Sequence, residues 1–365
     1  MRSVEREYKL TKIKAAMKLC QNMDPSMRAV QQFEERAVEK GHTSLMKEAH
    51  KFAEELGMCL SLEYPQPSYR SVSDPETEIK GPKVKEHLKK ADMEKLKEKF
   101  KEEKWHGRFF QARLQDSELN QSGCFAWLRD WTCAPTHTIA GVVELYEQLT
   151  PTKVYTVHKT GAEQGDVTCR LCGKSPETLA HVLAGCSALA QSKYLERHNA
   201  ALKVLFFEMT RDLRLIDSVP PWYSCAVPKP VYESSEALAF WDVPVYAEHT
   251  TVKANRVDAR FVDHKNKKVW AVEMSCPWME NREKKSEEKT VKYGPLRFEL
   301  KKRYPGYDVE QCNIIIDVLG GWSRDVDLTM RKLFGSRGYD VLRRMQKATI
   351  SSSLNIVRTF KATVI

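Results

Sequence analysis

Apolar residues recur at roughly helical spacing through the first sixty positions, with Tyr8, Ile13 and Met17, then Val30, Phe33 and Val38, set among many charges. Helices are predicted there. Asp24-Pro25-Ser26 punctuates them, because proline suits the first turn of a new helix. Residues 64–82 are rich in Pro and Ser and read as a linker. From Val84 to about Arg113 a charged helix is predicted, with Leu88, Met93, Leu96 and Phe100 on or near one stripe. Its interleaved lysines and acids suit a solvated amphipathic helix. Trp105, His106, Arg108, Phe109 and Phe110 follow, and aromatics beside arginine serve either base stacking or core packing. Gln191 to Ile216 is a strong helix, with Leu202, Phe206, Met209, Leu213 and Ile216 on one face.

The period then changes. Phe240 to Val252, Arg256 to Val262 and Lys268 to Cys276 are strand-like runs, and a helix from about Asn281 to Tyr304 follows, kinked or restarted at Pro295. Lys289, Tyr293, Leu296 and Leu300 share one face of it, so Lys289 and Tyr293 are predicted to meet the sheet. An ammonium there needs a partner, unless it snorkels to water. Asn313 to Leu319 is the most apolar short run and reads as a buried central strand. The remainder, with Val326, Met330, Leu333, Val341 and Met345, is helical and basic.

The two strands from Arg256 to Val262 and Lys268 to Cys276 flank the polar turn His264-Lys265-Asn266-Lys267 and form a predicted hairpin. A four-residue loop pairs Asp263 with Lys268 and brings Asp258 opposite Glu273 on one sheet face, because side chains alternate with period two. Opposed carboxylates repel. Either a hard divalent cation such as Mg²⁺ lies between them, or Arg256, Arg260 and Lys268 neutralise a surface hairpin. Glu208 is a further acid that the helix before them could direct toward the pair. His198, near the apolar stripe of that helix, reads as a satisfied core histidine.

Charge and cysteines add chemistry. Lys plus Arg number 59 against 49 Asp plus Glu, a formal charge of +10 over 365 residues, which suits a polyanionic partner. No run is long and apolar enough to span a membrane, and the N-terminal residues carry no secretory h-region. The ten cysteines are therefore expected as reduced thiols. Cys169 and Cys172, then His181 after eight residues and Cys186 after four more, make a knuckle suited to tetrahedral Zn²⁺. Gly173 gives its turn freedom. All four positions are protein ligands, so the zinc is structural.

In order along the chain, the Cys-Cys-His-Cys knuckle, Arg197-His198-Asn199, Arg256-Val257-Asp258, Val272-Glu273 and the helix carrying Lys289, Lys292-Tyr293 and Leu296 resemble the C-terminal third of certain non-LTR retrotransposon polyproteins. Their endonuclease is restriction-enzyme-like, of the PD-(D/E)xK class. The resemblance spans residues 120–325. The chain is accordingly expected to be a modular α+β and α/β protein, with helical residues 1–63, a linker and charged helix at 64–120 and C-terminal helices at 326–365; the resemblance adds a module with the zinc knuckle at 121–190 and a restriction-endonuclease-like mixed-sheet core at 191–325. It further implies Asp258 and Glu273 as Mg²⁺-binding acids, and Lys289, with Tyr293, as catalytic. Ser275 stands where the lysine of an ExK triplet would be, and Lys289 is its displaced counterpart. Arg197, His198, Asn199, Arg256 and Lys292 are implied in nucleic-acid binding. Two departures stand out: Val257 replaces the usual proline, and no Tyr-x-Asp-Asp of the reverse-transcriptase kind occurs. The expectation is a nuclear, DNA-nicking fragment without a polymerase core, with target DNA and element RNA as partners. The other expectation is a non-catalytic, zinc-stabilised DNA- or RNA-binding remnant.

Overall fold

Asp24 and Ser44 each accept a hydrogen bond from a backbone N–H of the turn they precede, from Ser26 at 2.8 Å and from Lys47 at 3.1 Å, and so cap two of the first three helices. The computed structural model describes residues 4–72, 105–131, 134–161, 165–246 and 252–363, the backbone of the strand Asp74–Ile79, and single positions between 86 and 102. The chain divides into two compact units, Met1–Glu102 and Glu103–Ile365.

In the first unit, helices α1 (Val4–Gln21), α2 (Pro25–Glu39) and α3 (Leu45–Glu55) precede strands β1 (Met58–Ser61), β2 (Ser68–Ser71) and β3 (Asp74–Ile79). The strands form an antiparallel sheet in the order β1-β2-β3. Its core joins Leu10, Ile13 and Met17 to Ala49, Ala53, Met58 and Tyr69. The expected linker at 64–82 is thus corrected through Ile79. Prolines punctuate the segment, but Tyr69 is buried among the helices and draws the chain back as a strand.

The second unit begins with α4 (Arg108–Gln115), α5 (Thr136–Tyr146) and α6 (Lys153–Thr160). Gly107, at φ 72, starts α4 as a separate helix instead of the end of a long charged one; the body of that expected helix lies outside the described residues. After the knuckle come α7 (Leu195–Asp212), β4 (Val231–Glu233), β5 (Ala237–Trp241), β6 (Ala259–Asp263), β7 (Lys268–Ser275), α8 (Arg282–Arg303), β8 (Asp308–Ile315), α9 (Arg324–Phe334) and α10 (Gly338–Ala362). The five strands lie in the order β4-β5-β6-β7-β8. The first four are antiparallel, and α8 crosses over so that β8 runs parallel to β7.

Alternation along the strands gives the sheet two buried faces. Ala259, Phe261, Val272 and Met274 pack with Leu202 and Phe206 of α7 and with Met330 and Met345 beyond the sheet. Val262, Val269 and Ala271 pack under Tyr293, Leu296 and Leu300 of α8. Pro295 lies inside α8 without ending it; the carbonyl it leaves free belongs to Val291, an exposed residue, and can turn to water. The first strand run stops at Trp241, where Asp242 takes a positive φ of 54; residues 247–251 lie outside the described residues. The run Asn313 to Leu319 is not a central strand. Its first part closes the edge strand β8, and its apolarity comes from what covers it: Ile316 lies in the sheet's core, whereas Val318 and Leu319 join a second cluster with Phe109, Trp127, Tyr146, Leu183 and Trp278. The C-terminal helix α10 serves both, giving Val341, Leu342 and Met345 to one and Ile350, Leu354 and Phe360 to the other. Burial of each such side chain is worth about 1.5–3 kcal/mol. Among the described residues, α10 thus packs with residues from both the expected module at 121–190 and the expected core at 191–325.

Within the apolar run sits Asp317, wholly buried. Arg113 Nη2 of α4 meets its Oδ1 at 2.7 Å and Arg282 Nη1 of α8 meets its Oδ2 at 2.6 Å. The N–H groups of Leu319 and Gly321 also donate to Oδ1, at 2.9 and 3.0 Å. A Cβ at Gly321 would collide with the Arg113 guanidinium and this carboxylate. Burial alone would push the Asp317 pKa up; the two arginines and the Gly321 N–H outweigh it and hold the carboxyl below its ordinary value. Asp317→Ala should leave the buried Arg113 without its carboxylate and Arg282 with Asp116 alone, and destabilise the unit by about 3–5 kcal/mol in urea titration. Because the folded pKa is depressed, this contribution is complete above about pH 4 and disappears as pH falls through the lowered value. Asp317→Asn protein should accordingly lose less stability than wild type between about pH 5 and pH 2.

Candidate functional site

The knuckle is assembled by backbone turns. Gly173, at φ 63, closes the Cys169–Cys172 turn and donates its N–H to the Cys169 carbonyl at 2.8 Å, while Cys169 N–H reaches the Ser175 carbonyl at 2.8 Å. His181 opens a short helical turn, His181–Gly185, that delivers Cys186. Cys169 Sγ lies 4.0 Å from Cys186 Sγ, and Cys172 Sγ lies 3.3 Å from His181 Nε2. All four donor atoms fall within 4.8 Å of one another. Thiolates about 2.3 Å from a tetrahedral zinc stand about 3.8 Å apart, so the set fits that ion. The Lys174 N–H is the chief cause holding the Cys172 thiol below its usual pKa, a form suited to a metal ligand.

Two residues that spacing did not single out hold this cluster. Buried Glu177 accepts from the N–H of Lys153 at 2.8 Å and from Arg170 through N, Nε and Nη2 at 2.8, 2.9 and 2.6 Å. Tyr194 Oη donates to the Val182 carbonyl at 2.8 Å and accepts from Cys186 N–H at 3.0 Å. The sequence signal was present only as an acid and a tyrosine close to the ligands.

The second cluster lies on the hairpin. Asp263 pairs with Lys268 and Ala259 with Val272, which continues to Asp258 opposite Glu273, the register that loop parity predicts. The two acids then brace each other's strands. Asp258 N–H donates to Glu273 Oε1 at 3.1 Å, and Met274 N–H donates to Asp258 Oδ2 at 2.7 Å. From α8, Lys289 Nζ reaches Glu273 Oε2 at 2.5 Å. From α7, His198 Nε2 lies 3.1 Å from Asp258 Oδ2 and Nδ1 lies 2.9 Å from Asn199 Oδ1. Tyr293 Oη accepts from Lys292 Nζ at 3.0 Å.

Charge divides the pair. Burial disfavours an ionised Asp258, but the His198 hydrogen bond and charge, with the Met274 N–H and Lys289, hold its pKa below the ordinary value. Burial and the charge of Asp258 push Glu273 up, against Lys289. Burial lowers His198 and Asp258 more than restores it, leaving it raised. A carboxylate accepts at several lone-pair positions, and Asp258 Oδ1 takes no hydrogen bond among the described residues. Among the described residues, Asp258 Oδ1 is thus open to a further ligand, whereas both oxygens of Glu273 are taken, by Asp258 N–H and by Lys289.

Other expected site residues fall elsewhere. Arg197, expected at nucleic acid, is only 1% exposed; its guanidinium reaches Ser353 Oγ at 3.3 Å and the Cys276 carbonyl at 3.4 Å, because its place on α7 faces the core. Glu208 points away from the hairpin acids and meets Arg211, Arg337 and Arg344. Asp258 is hydrogen-bonded to His198, and Arg256, Arg260 and Lys268 take other roles. Arg256 pairs with Asp242, Arg260 stacks 4.1 Å over Phe240, and Lys268 lies over Trp270. The aromatic group ending the charged segment packs inward, with Phe109 against Trp278 and Phe110 against Tyr146. Arg256 and Lys292 do reach an open groove of about 540 Å³, lined also by Lys253, Asn255 and Tyr293. No helix among the described residues is long and apolar enough to cross a membrane.

Compared with known proteins, the chain matches no family model, and no curated protein matches it significantly. Zinc removal should unfold the knuckle first: metal analysis should find about one zinc per chain, and Cys172→Ser should abolish it. Tyr194→Phe should retain zinc but lower stability by about 1–2 kcal/mol in thermal unfolding, through loss of its buried hydrogen bonds.

Proposed function

We propose that this chain is a metal-dependent DNA endonuclease of the PD-(D/E)xK class with a restriction-endonuclease-like core, braced by a structural zinc knuckle. The carrying observation is the convergence of Asp258, Glu273 and Lys289 from two strands and a helix onto one sheet face. Asp258 and Glu273 would hold a divalent ion such as Mg²⁺, whose chemistry would be to ease deprotonation of water and offset charge at the scissile phosphate. Lys289 presents an ammonium where charge builds in the transition state. Tyr293 and Lys292 border the groove, where Lys253 and Arg256 supply further backbone contacts of the salt-dependent kind. As part of a non-LTR element, the nick would provide the primer for reverse transcription of element RNA at a chromosomal, hence nuclear, target.

A second reading is favoured by one observation: Lys289 and His198 already partner the two acids, so the cluster's hydrogen bonds are met largely by the protein itself. The chain is then a non-catalytic, zinc-stabilised DNA- or RNA-binding remnant. Zinc-loaded protein and supercoiled plasmid separate the two. The nuclease reading expects Mg²⁺-dependent nicking, abolished in Asp258→Ala and Glu273→Ala and reduced about 10²–10³-fold in Lys289→Ala. DNA shifted in a gel but never nicked with Mg²⁺ or Mn²⁺ selects the remnant.

A further inference from the structure

We propose that His198 is a positioning residue that clamps one oxygen of Asp258 and thereby leaves the other directed to a divalent cation; the inference rests on the nuclease reading. Three observations carry it. First, Asp258 Oδ2 is held from two directions, by His198 Nε2 at 3.1 Å and by Met274 N–H at 2.7 Å. Oδ1 is left without a hydrogen bond among the described residues. A carboxylate held at one oxygen by two donors from different elements cannot rotate without breaking both. Second, the imidazole is itself oriented by Asn199, 2.9 Å from Nδ1. If Asn199 offers its oxygen, both ring nitrogens carry protons; if its amide is flipped, Nδ1 accepts and the proton sits on Nε2. Either way Nε2–H faces Asp258. Third, the adjacent Arg197 ties this turn of α7 to the Cys276 carbonyl just beyond β7, and β7 carries Glu273. One residue of the turn fixes the helix to the strand end, and the next reaches the acid on the neighbouring strand.

His198 is therefore reassigned from contact with nucleic acid to service of Asp258. Partners that orient a ligating side chain commonly change metal affinity or activity about 10–100-fold when removed. The test uses the zinc-loaded 365-residue chain and two variants. His198→Gln keeps an N–H donor near the Nε2 position, and His198→Leu keeps bulk without a donor. Mn²⁺ binding is measured calorimetrically without DNA, with Asp258→Ala defining binding elsewhere, and nicking is measured as kcat and KM. The expected result is Mn²⁺ binding about 10–100-fold weaker in the Leu variant, with kcat reduced, KM for DNA unchanged, and both restored in the Gln variant. Independently of any variant, zinc-loaded wild type without Mn²⁺ or Mg²⁺, labelled at histidine nitrogen, should show a slowly exchanging His198 Nε2–H resonance. Its absence overturns the proposal, as does a Leu variant that binds Mn²⁺ and nicks like wild type; in that case the nuclease reading stands. Wild type that neither binds Mn²⁺ at Asp258 nor nicks overturns both.

Discussion

Asp317 has no access to water and holds two guanidinium groups, Arg113 from α4 and Arg282 from the first turn of α8. A buried carboxylate is tolerable only with such partners, and each arginine needs it in turn. Arg282 lies at a helix N-terminus, where the dipole disfavours a cation, so Asp317 and Asp116 together offset an unfavourable placement. The consequence reaches the candidate site. Lys289 follows Arg282 by about two turns, roughly 10 Å along the axis. Farther along, Gln311 and Asn313 of β8 donate to the Lys289 and Ser286 carbonyls at 2.9 and 3.1 Å. Held at its start and along its flank, α8 can keep an ammonium on Glu273.

The knuckle belongs to the same framework. Leu179, Val182 and Leu183 enter the cluster shared with α10, and Arg170 lies 5.1 Å over the Phe360 ring. Tyr194, bonded to the backbone of both the His181 and Cys186 halves, stacks 5.1 Å from the Arg197 guanidinium, which reaches the end of β7. Ordered contacts thus run from the cysteine cluster to the strand bearing Glu273. Zinc in this position would stiffen the support of the hairpin acids while remaining outside their chemistry.

Some features could be read locally because local rules decide them. The pairing of Asp263 with Lys268 follows from a four-residue polar turn and strand parity, and Asp258 and Glu273 inherit their shared face from it. Lys289 and Tyr293 meet the sheet because Leu296 and Leu300 share their helical stripe. Cys169, Cys172, His181 and Cys186 come together because close spacing leaves a short turn few ways to place them. Other residues had no such signal. Arg197 looks like a solvent-facing cation until α10 and Cys276 enclose it, and Glu208 looks free to approach the acids until Arg337 and Arg344 arrive from far along the chain. Residues 64–79 look like a linker because proline and serine mark turns equally well between strands.

The sequence by itself determined the hairpin register, the metal-ligand spacing and the helical face that carries Lys289, since each depends on periodicity over a few turns. Only the tertiary structure decided that Asp317 would become a buried clamp, that α10 would join two cores into one unit, and that His198 would face Asp258. Those outcomes depend on partners far apart in the chain, 204 residues in the case of Arg113 and Asp317. Their worth comes from desolvation, which exists only after the chain has closed around them.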